Sequence, residues 1–347
     1  MNSPGQWRLP AEWEPHRSTI LCWPHRKKDW PGKFTPIPWV YAEIVKNIAQ
    51  GERVRMIVQS DAWRAKAERY LERAHVDRSG IEFIVATTDR GWMRDSSPAF
   101  VKQGKRTGAV QFTFNGWARY PDWLNDRNIP ALLAEATGSQ WMEATYRNRK
   151  VVLEGGAIDV NGSGTLMTTE ECLLDPEVQV RNPGFGRKEY ETVFKTYLGI
   201  TNVVWLGRGI AGDDTHGHVD DLCRFVNKDT VVLCRENNPK EVNYKPLEEN
   251  FERMADARLE DGSKIDIVAL PMPRPLYFEE LRLPASYANF YISNRAVLVP
   301  TFNDPNDRIA LGILKDLFPD RDVVGIHAVD LVWGLGTIHC LSHEEPL

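Results

Sequence analysis

AFVKQGKRTGAVQFTF, residues 99–114, reads as a β-hairpin in which two apolar-rich strands flank a short polar turn at Gly104. The same pattern returns in AIDVNGSGTLMTT (157–169), CRFVNKDTVVLC (223–234) and FYISNRAVLVPTF (290–302), with turns centred near Gly162, Lys228 and Asn294. The turns recur at roughly sixty to sixty-six residues, the length of a supersecondary unit rather than of a domain. Working outward from the first hairpin, PWVYAEIVKNIAQG places Val40, Ile44, Val45 and Ile48 on one helical stripe, with Gly51 as its stop. RVRMIV then reads as a strand, DAWRAKAERYLERA as a helix with Asp61 at its N-cap, and IEFIVAT as another strand. Each unit thus mixes strands and a helix in one order, an α/β fold class. The chain begins with a lone strand, STILCW, and its last unit breaks off just after Cys340. A closed ring in which the first strand completes the last unit accounts for both ends.

No Pro/Gly/Ser linker or charge block divides the sequence, so a single domain over residues 1–347 is expected. A hydrophobic fraction of 42% supports a sizeable core, and a net charge of −5 gives no reason to expect nucleic acid or an anionic membrane as partner. The N-terminal MNSPGQWRLPAEWEPHR lacks an apolar export segment, and no run of about 18 apolar residues follows, so a cytoplasmic protein is expected. Five cysteines, Cys22, Cys172, Cys223, Cys234 and Cys340, show no C-x-x-C spacing, which argues for reduced thiols rather than a disulfide framework or a thiolate metal site. Asn161-Gly162-Ser163 matches a glycosylation acceptor but is read as a turn.

The chemistry-bearing motifs stand just before the hairpins: Asp95 in DRGWMRDSSP, Glu154 in VVLEGGA, His218 and Asp220 in DDTHGHVDD, and Cys340 near the C-terminus. Units set around an axis would deliver these side chains to one centre. Free cysteine is most often a buried small hydrophobe, the reading kept for the other four. Cys340 differs, because Gly334-Leu335-Gly336 precedes it and His339, His343, Glu344 and Glu345 surround it. A nucleophilic thiolate needs nearby positive charge, which a cationic substrate can itself supply. Asp95, Glu154, Asp220 and Asp214, if they converge, repel one another unless a cation enters, and a guanidinium presents forked N–H pairs that match carboxylates two at a time. His218 would then move protons near neutral pH.

A competing metallohydrolase has its basis in His216-x-His218-x-Asp220, which in an extended strand would put both imidazoles and the carboxylate on one face. Against it, no histidine occurs between His218 and His327, and Asp221 stands where a further His is wanted. No metal, nucleotide or organic cofactor is called for, and no phosphate-binding glycine motif occurs.

GWMRD, FNGW, LEGGAID, GDDTHGHVD and the terminal G-x-G-T-I-H-C together resemble, in order and spacing, the agmatine deiminases and the related Porphyromonas-type peptidylarginine deiminases of the guanidino-group-modifying superfamily. The resemblance runs from LPAEWEPH to the final Cys. It implies a five-bladed pseudo-symmetric α/β propeller of ββαβ units with a central active site. It further implies Cys340 as nucleophile, His218 as acid and base, Asp95 and Asp220 as guanidinium clamps, Glu154 as the remaining active-site carboxylate, Trp92 as a wall beside the substrate chain, and Asp213 or Asp214 at a distal ammonium. The implied reaction is hydrolysis of agmatine to N-carbamoylputrescine and ammonia through an amidino-cysteine, without a cofactor, on a small cationic guanidine; a homo-oligomer is admitted. Peptidylarginine or free arginine is the alternative substrate, for which Arg94, Arg119 and Arg208 are candidate carboxylate binders. An amidinotransferase and a non-catalytic guanidine-binding protein follow. Two departures mark the chain: Gly334-Leu335-Gly336-Thr337 stands where familiar members carry three consecutive glycines, and Ala118-Arg119 stands where Gly-Gly commonly follows F-N-x-W.

Overall fold

The expected hairpins are present in the computed structural model, which describes residues 7–347. The first six residues, part of the stretch read as lacking an export segment, lie outside the described residues. Ala99–Gln103 pairs antiparallel with Arg106–Gln111 around Gly104, whose φ of +60° is the left-handed conformation glycine adopts freely. Parallel to the second strand runs Gln140–Glu143. Three further sheets repeat this order: Asp159–Val160, Thr165–Thr169 and Asn202–Leu206; Cys223–Phe225, Thr230–Arg235 and Asp266–Pro271; Tyr291–Ile292, Ala296–Thr301 and Asp322–His327. Parallel neighbours need a long crossover. Here each crossover carries a helix: Ile129–Thr137, Arg187–Leu198, Tyr244–Asp256 and Asn306–Leu317 in turn.

The fifth sheet joins the two ends of the chain. Ser342–Pro346 pairs antiparallel with His16–Cys22, with Leu21 opposite Ser342 and Thr19 opposite Glu344. His16–Cys22 in turn runs parallel to Arg53–Val58, and Ile81–Val85 extends that sheet. Its crossover helix is Ile37–Ile48. The lone N-terminal strand therefore completes the last unit, as its sequence suggested.

Two local expectations are corrected. The helix Asp61–Arg73 is capped by Ser60, whose Oγ accepts from the Trp63 N–H, and Asp61 is its first residue, where a carboxylate faces the positive end of the helix dipole. The helix Ile37–Ile48 ends at Ala49, and Gly51 is not left-handed; a Cβ there would come 2.8 Å from the Arg295 Cβ, so close packing rather than chain reversal demands glycine.

Central strands such as Thr230–Arg235 bury Val231, Val232, Leu233 and Cys234 completely, which explains unbroken apolar runs in place of alternation. Each such side chain contributes roughly 1.5–3 kcal/mol on burial. Asn161 is a turn residue, since its Oδ1 accepts from the N–H groups of Ser163, Gly164 and Thr165. Among the described residues no helix is long and apolar enough to cross a membrane.

Candidate active site

The segments that precede the antiparallel pairs converge. Asp95 lies in the one-turn helix Met93–Ser96, Glu154 just before the 3-10 turn Gly155–Ala157, His218 and Asp220 at the 3-10 turn Val219–Asp221, and Cys340 in the one-turn helix Ile338–Leu341. Each turn breaks the strand direction and leaves its polar side chain at the strand's entrance. His218 Nδ1 stands 3.9 Å from Asp95 Oδ1 and 4.0 Å from Asp220 Oδ1, and His218 Nε2 stands 4.0 Å from Glu154 Oε2. Cys340 Sγ is 3.6 Å from Asp220 Oδ2. All five predicted catalytic residues therefore sit together, and all are buried.

Buried polar atoms are rarely left without partners. Here His218 Nε2, Glu154 Oε2 and Asp220 Oδ1 have none. Their remaining atoms are firmly held. The two oxygens of Asp95 accept from Trp117 Nε1 at 2.9 Å and from the Gly156 N–H at 3.0 Å. Glu154 Oε1 accepts from Arg181 Nε at 3.1 Å in a fully buried ion pair. Asp220 Oδ2 is bonded to His339 Nδ1 at 2.7 Å, and His339 Nε2 to Glu12 Oε2 at 2.8 Å. Glu12 also accepts from Arg94 and Arg224, each at 2.9 Å.

The unit of Tyr291–Ile292 and Ala296–Thr301, the fourth in chain order, contributes as well. Asn289, two residues before the strand Tyr291–Ile292, donates from Nδ2 to Cys340 Sγ at 3.1 Å, to Asp221 at 3.0 Å and to Asp220 at 3.2 Å. Its position matches that of the other site residues, so the repeat itself was the signal that marks it. Glu12, Arg181 and Trp117 were missed because they act through residues already identified. Nothing in their local pattern distinguishes them, although Glu12 and Trp117 stand in LPAEWEPH and FNGW, two of the quoted motifs.

Electrostatics follow from burial among carboxylates. Burial pushes the Cys340 thiol well up, and Asp220, Asp221 and Asp95 push it further. Burial alone would pull His218 down, but the negative charge of Asp95, followed by the neighbouring Cys172 and then Asp220, carries it well above the ordinary imidazole range. Burial raises Asp95 against the opposing pull of His218. Burial also works to raise Asp220, yet the hydrogen bond and charge of His339 hold it below the usual carboxylate range.

The cavity above this cluster is lined by Cys340, Asp95, Trp92, Trp117, Tyr120 and Asp214, among others. Trp92 lines this cavity and packs its ring 5.7 Å from that of Trp30. Asp214 also faces the cavity, with its carboxylate bonded to Tyr120 Oη at 2.6 Å and paired with Arg119 at 3.2 Å. Asp213 does not line it. Its oxygens accept from the N–H groups of Thr215, Gly217 and His218, so it shapes the loop that presents His218. Of the proposed carboxylate binders, Arg94 is consumed by Glu12 and Glu344, and Arg119 by Asp214.

The arrangement needed for an H-x-H-x-D metal site is not formed. His216 and Gly217 have φ of +66° and +91°, so the segment is not an extended strand, and His216 Nε2 bonds Asp175 Oδ2 at 3.0 Å, away from His218. Among the described residues two other sets have ligand atoms close enough for an ion, Glu154 with Cys172 and His218, and Asp220 with Asp221 and Cys340. Of these six residues Cys340 lines the cavity just described, while Glu154, His218 and Asp220 belong to the buried cluster beside it.

Glycines set the tolerances. A Cβ on Gly156 would meet His218 Nδ1 at 2.5 Å and the carboxylates of Asp220 and Asp95 at 3.1 Å. Gly156→Ala is therefore expected to keep the fold while lowering kcat/KM by about 100-fold, the usual penalty of an ångström of misplacement; steady-state kinetics beside circular dichroism check this. A Cβ on Gly336 would come 3.3 Å from Cys340 Sγ and 2.9 Å from Trp92. The two departures from family glycines fall on left-handed backbone: Leu335 has φ +67° and Ala118 φ +53°. Each side chain there is strained by roughly 1–2 kcal/mol.

Comparison with known proteins agrees with this geometry. The family model for Porphyromonas-type peptidyl-arginine deiminase matches residues 8–346. The agmatine deiminase of Ectopseudomonas mendocina is 33% identical over 362 aligned positions, covering 97% of this chain and 95% of the relative. The agmatine deiminase of Enterococcus faecalis superimposes with a TM-score of 0.88 at 29% identity, covering 98% of this chain and 96% of that one. A Cys-to-Ser variant of C. jejuni agmatine deiminase with substrate bound gives a TM-score of 0.86 at 29% identity, over 98% of this chain and 96% of the other. With the site and both ends of the chain covered, this chain belongs to the Porphyromonas-type peptidyl-arginine deiminase family.

Proposed function

We propose that the chain is an agmatine deiminase that hydrolyses agmatine to N-carbamoylputrescine and ammonia, with Cys340 as nucleophile and His218 as acid and base. The observation that carries this is the buried cluster of His218 with Asp95, Glu154 and Asp220, in which Asp220 Oδ1 has no hydrogen-bond partner and the Cys340 thiol lies 3.6 Å from Asp220 Oδ2. A planar cation with forked N–H groups matches carboxylates two at a time and can donate to the free Asp220 Oδ1. Asp95 and Asp220 hold the guanidinium with its central carbon toward Cys340, and such orientation can lower the barrier by about 7–11 kcal/mol.

The bound cation offsets the carboxylates that hold the thiol protonated, so Cys340 gives up its proton to solvent as substrate binds. The thiolate adds to the guanidinium carbon and gives a neutral tetrahedral adduct. His218, protonated beforehand by its carboxylate neighbours, donates to one nitrogen, which departs as ammonia and leaves an amidino-cysteine. His218, now neutral, takes a proton from water as the oxygen adds to the same carbon, and breakage of the C–S bond releases the ureido product. Glu154, itself fixed by Arg181, keeps the His218 ring oriented.

The five sheets of one topology, with the chain ends paired in the fifth, support a ring: a single domain over residues 1–347 built as a five-bladed α/β propeller, with the pre-hairpin turns facing its axis. That architecture explains why residues so far apart in sequence meet.

A pH dependence follows. In the free enzyme Cys340 is raised, so its thiolate fraction grows as pH rises, while His218, also raised, holds its proton to higher pH than an ordinary imidazole. kcat/KM is expected to climb between about pH 7 and pH 9, and kcat, measured with the cation already bound, to level off at lower pH. A kcat/KM profile that falls over that range contradicts the protonation states assigned.

The direct test is ammonia release without added metal from agmatine, free arginine and an arginine-containing peptide. Release from agmatine supports the proposal. Release from the peptide or arginine alone moves the substrate to peptidylarginine or free arginine, and a new guanidine in place of ammonia indicates an amidinotransferase.

A further inference from the structure

The acidic groups of the cavity differ in how their charge is met. Asp29 is paired with Arg26 at 2.9 Å and Arg90 at 3.3 Å, and Asp122 with the same two arginines. The side chains of those arginines are only 20% and 9% exposed. Asp214 is different. Its one cationic partner among the described residues is Arg119, 3.2 Å away, whose side chain is 49% exposed while that of Asp214 is 15% exposed. Asp214 Oδ2 keeps a separate hydrogen bond from Tyr120, so the carboxylate stays in place if the arginine leaves.

Arg119 hangs from an unusual loop. Gly116, Trp117 and Ala118 all have positive φ, and the Ala118 N–H is tied to Asn115 Oδ1 at 2.8 Å. This turn fixes Trp117 on Asp95 at one end of the cavity and Tyr120 on Asp214 at the other, leaving Arg119 as the exposed member between them. The loop therefore positions both carboxylates rigidly, and the side chain free to move is the cation.

We propose that Arg119 is a specificity-determining residue that occupies Asp214 when the site is empty and that the ammonium end of the substrate displaces it. This deepens the agmatine assignment and rests on it. Arg119 swings to solvent as the alkylammonium takes its place, no bond is made or broken, and the displaced ion pair is subtracted from substrate affinity. Because a half-exposed ion pair is weak, the effect of removing it is about two- to five-fold. It falls on KM and not on kcat, since Arg119 touches none of the reacting groups.

The experiment compares agmatine with n-butylguanidine, which has the same reacting group but no ammonium. In Arg119→Gln, the KM for agmatine is expected to fall about two- to five-fold with kcat within two-fold, while the KM for butylguanidine stays unchanged. In Asp214→Asn, the KM for agmatine is expected to rise while that for butylguanidine stays within two-fold. An unchanged or raised agmatine KM in Arg119→Gln, or an equal shift for both substrates, overturns the proposal. Failure of the agmatine assignment looks different: the unsubstituted enzyme then releases no ammonia from agmatine at all.

Discussion

Cys340→Ser is expected to abolish ammonia release, by at least about 10^4-fold, while thermal unfolding stays within a few degrees of the parent. The loss is so large because a serine hydroxyl in the same surroundings does not ionise. Burial and three carboxylates already raise the thiol. The same field acts on an intrinsically weaker acid, and the one cation that substrate brings cannot overcome it. The fold should survive, since sulfur-to-oxygen replacement removes little volume, and Asn289, 3.1 Å away, can donate to either atom. Substrate binding should survive too, because the guanidinium is held by carboxylates and not by the thiol. Turnover by this variant above about 1% of the parent rate would remove Cys340 from the nucleophile's role.

Asp220→Asn is the second large effect. Asp220 is fixed at Oδ2 by His339 and Asn289 and leaves Oδ1 for the substrate. An asparagine keeps an acceptor toward His339 only by turning its NH2 toward the guanidinium, where donor meets donor. One clamp is lost and an unfavourable contact replaces it, so kcat and kcat/KM are both expected to fall by about 10^3-fold. A signature separates this from mere damage. Asp220 is the foremost charge raising the Cys340 thiol, so its removal should let the free thiol ionise at lower pH. Thiolate absorbance titrated against the Cys340→Ser background reads that shift. A thiol that titrates unchanged in Asp220→Asn, with activity within ten-fold of the parent, would place Asp220 outside the clamp.

Much of this was legible in the chain before its structure. The hairpins were readable because alternation and a short polar turn are local signals, and their period placed Asp95, Glu154, His218, Asp220 and Cys340 at one recurring position. Asn289 occupies that position in the remaining unit, yet an asparagine before a strand ordinarily marks a turn, so residue type masked what the period indicated. His216 misled in the opposite way. Two histidines spaced as H-x-H suggest one face of a strand, but Gly217 permits a left-handed bend that sends His216 to Asp175. Glu12 and Arg181 were beyond local reading, because a buried carboxylate and its arginine are identified by what surrounds them in space. The glycine departures carried more than they first showed. Ala118 and Leu335 keep the backbone conformation that glycine would favour, and Leu335 adds a side chain to the cavity lining.

The central claim is a covalent amidino intermediate on Cys340. Rapid acid quenching of the enzyme with agmatine during a single turnover, followed by mass spectrometry of the Cys340 peptide, tests it most directly. The expected result is a transient adduct on Cys340 equal to agmatine less ammonia, absent from Cys340→Ser and gone as N-carbamoylputrescine forms. Formation of that product at full rate with no adduct on Cys340 at any quench time would contradict the account.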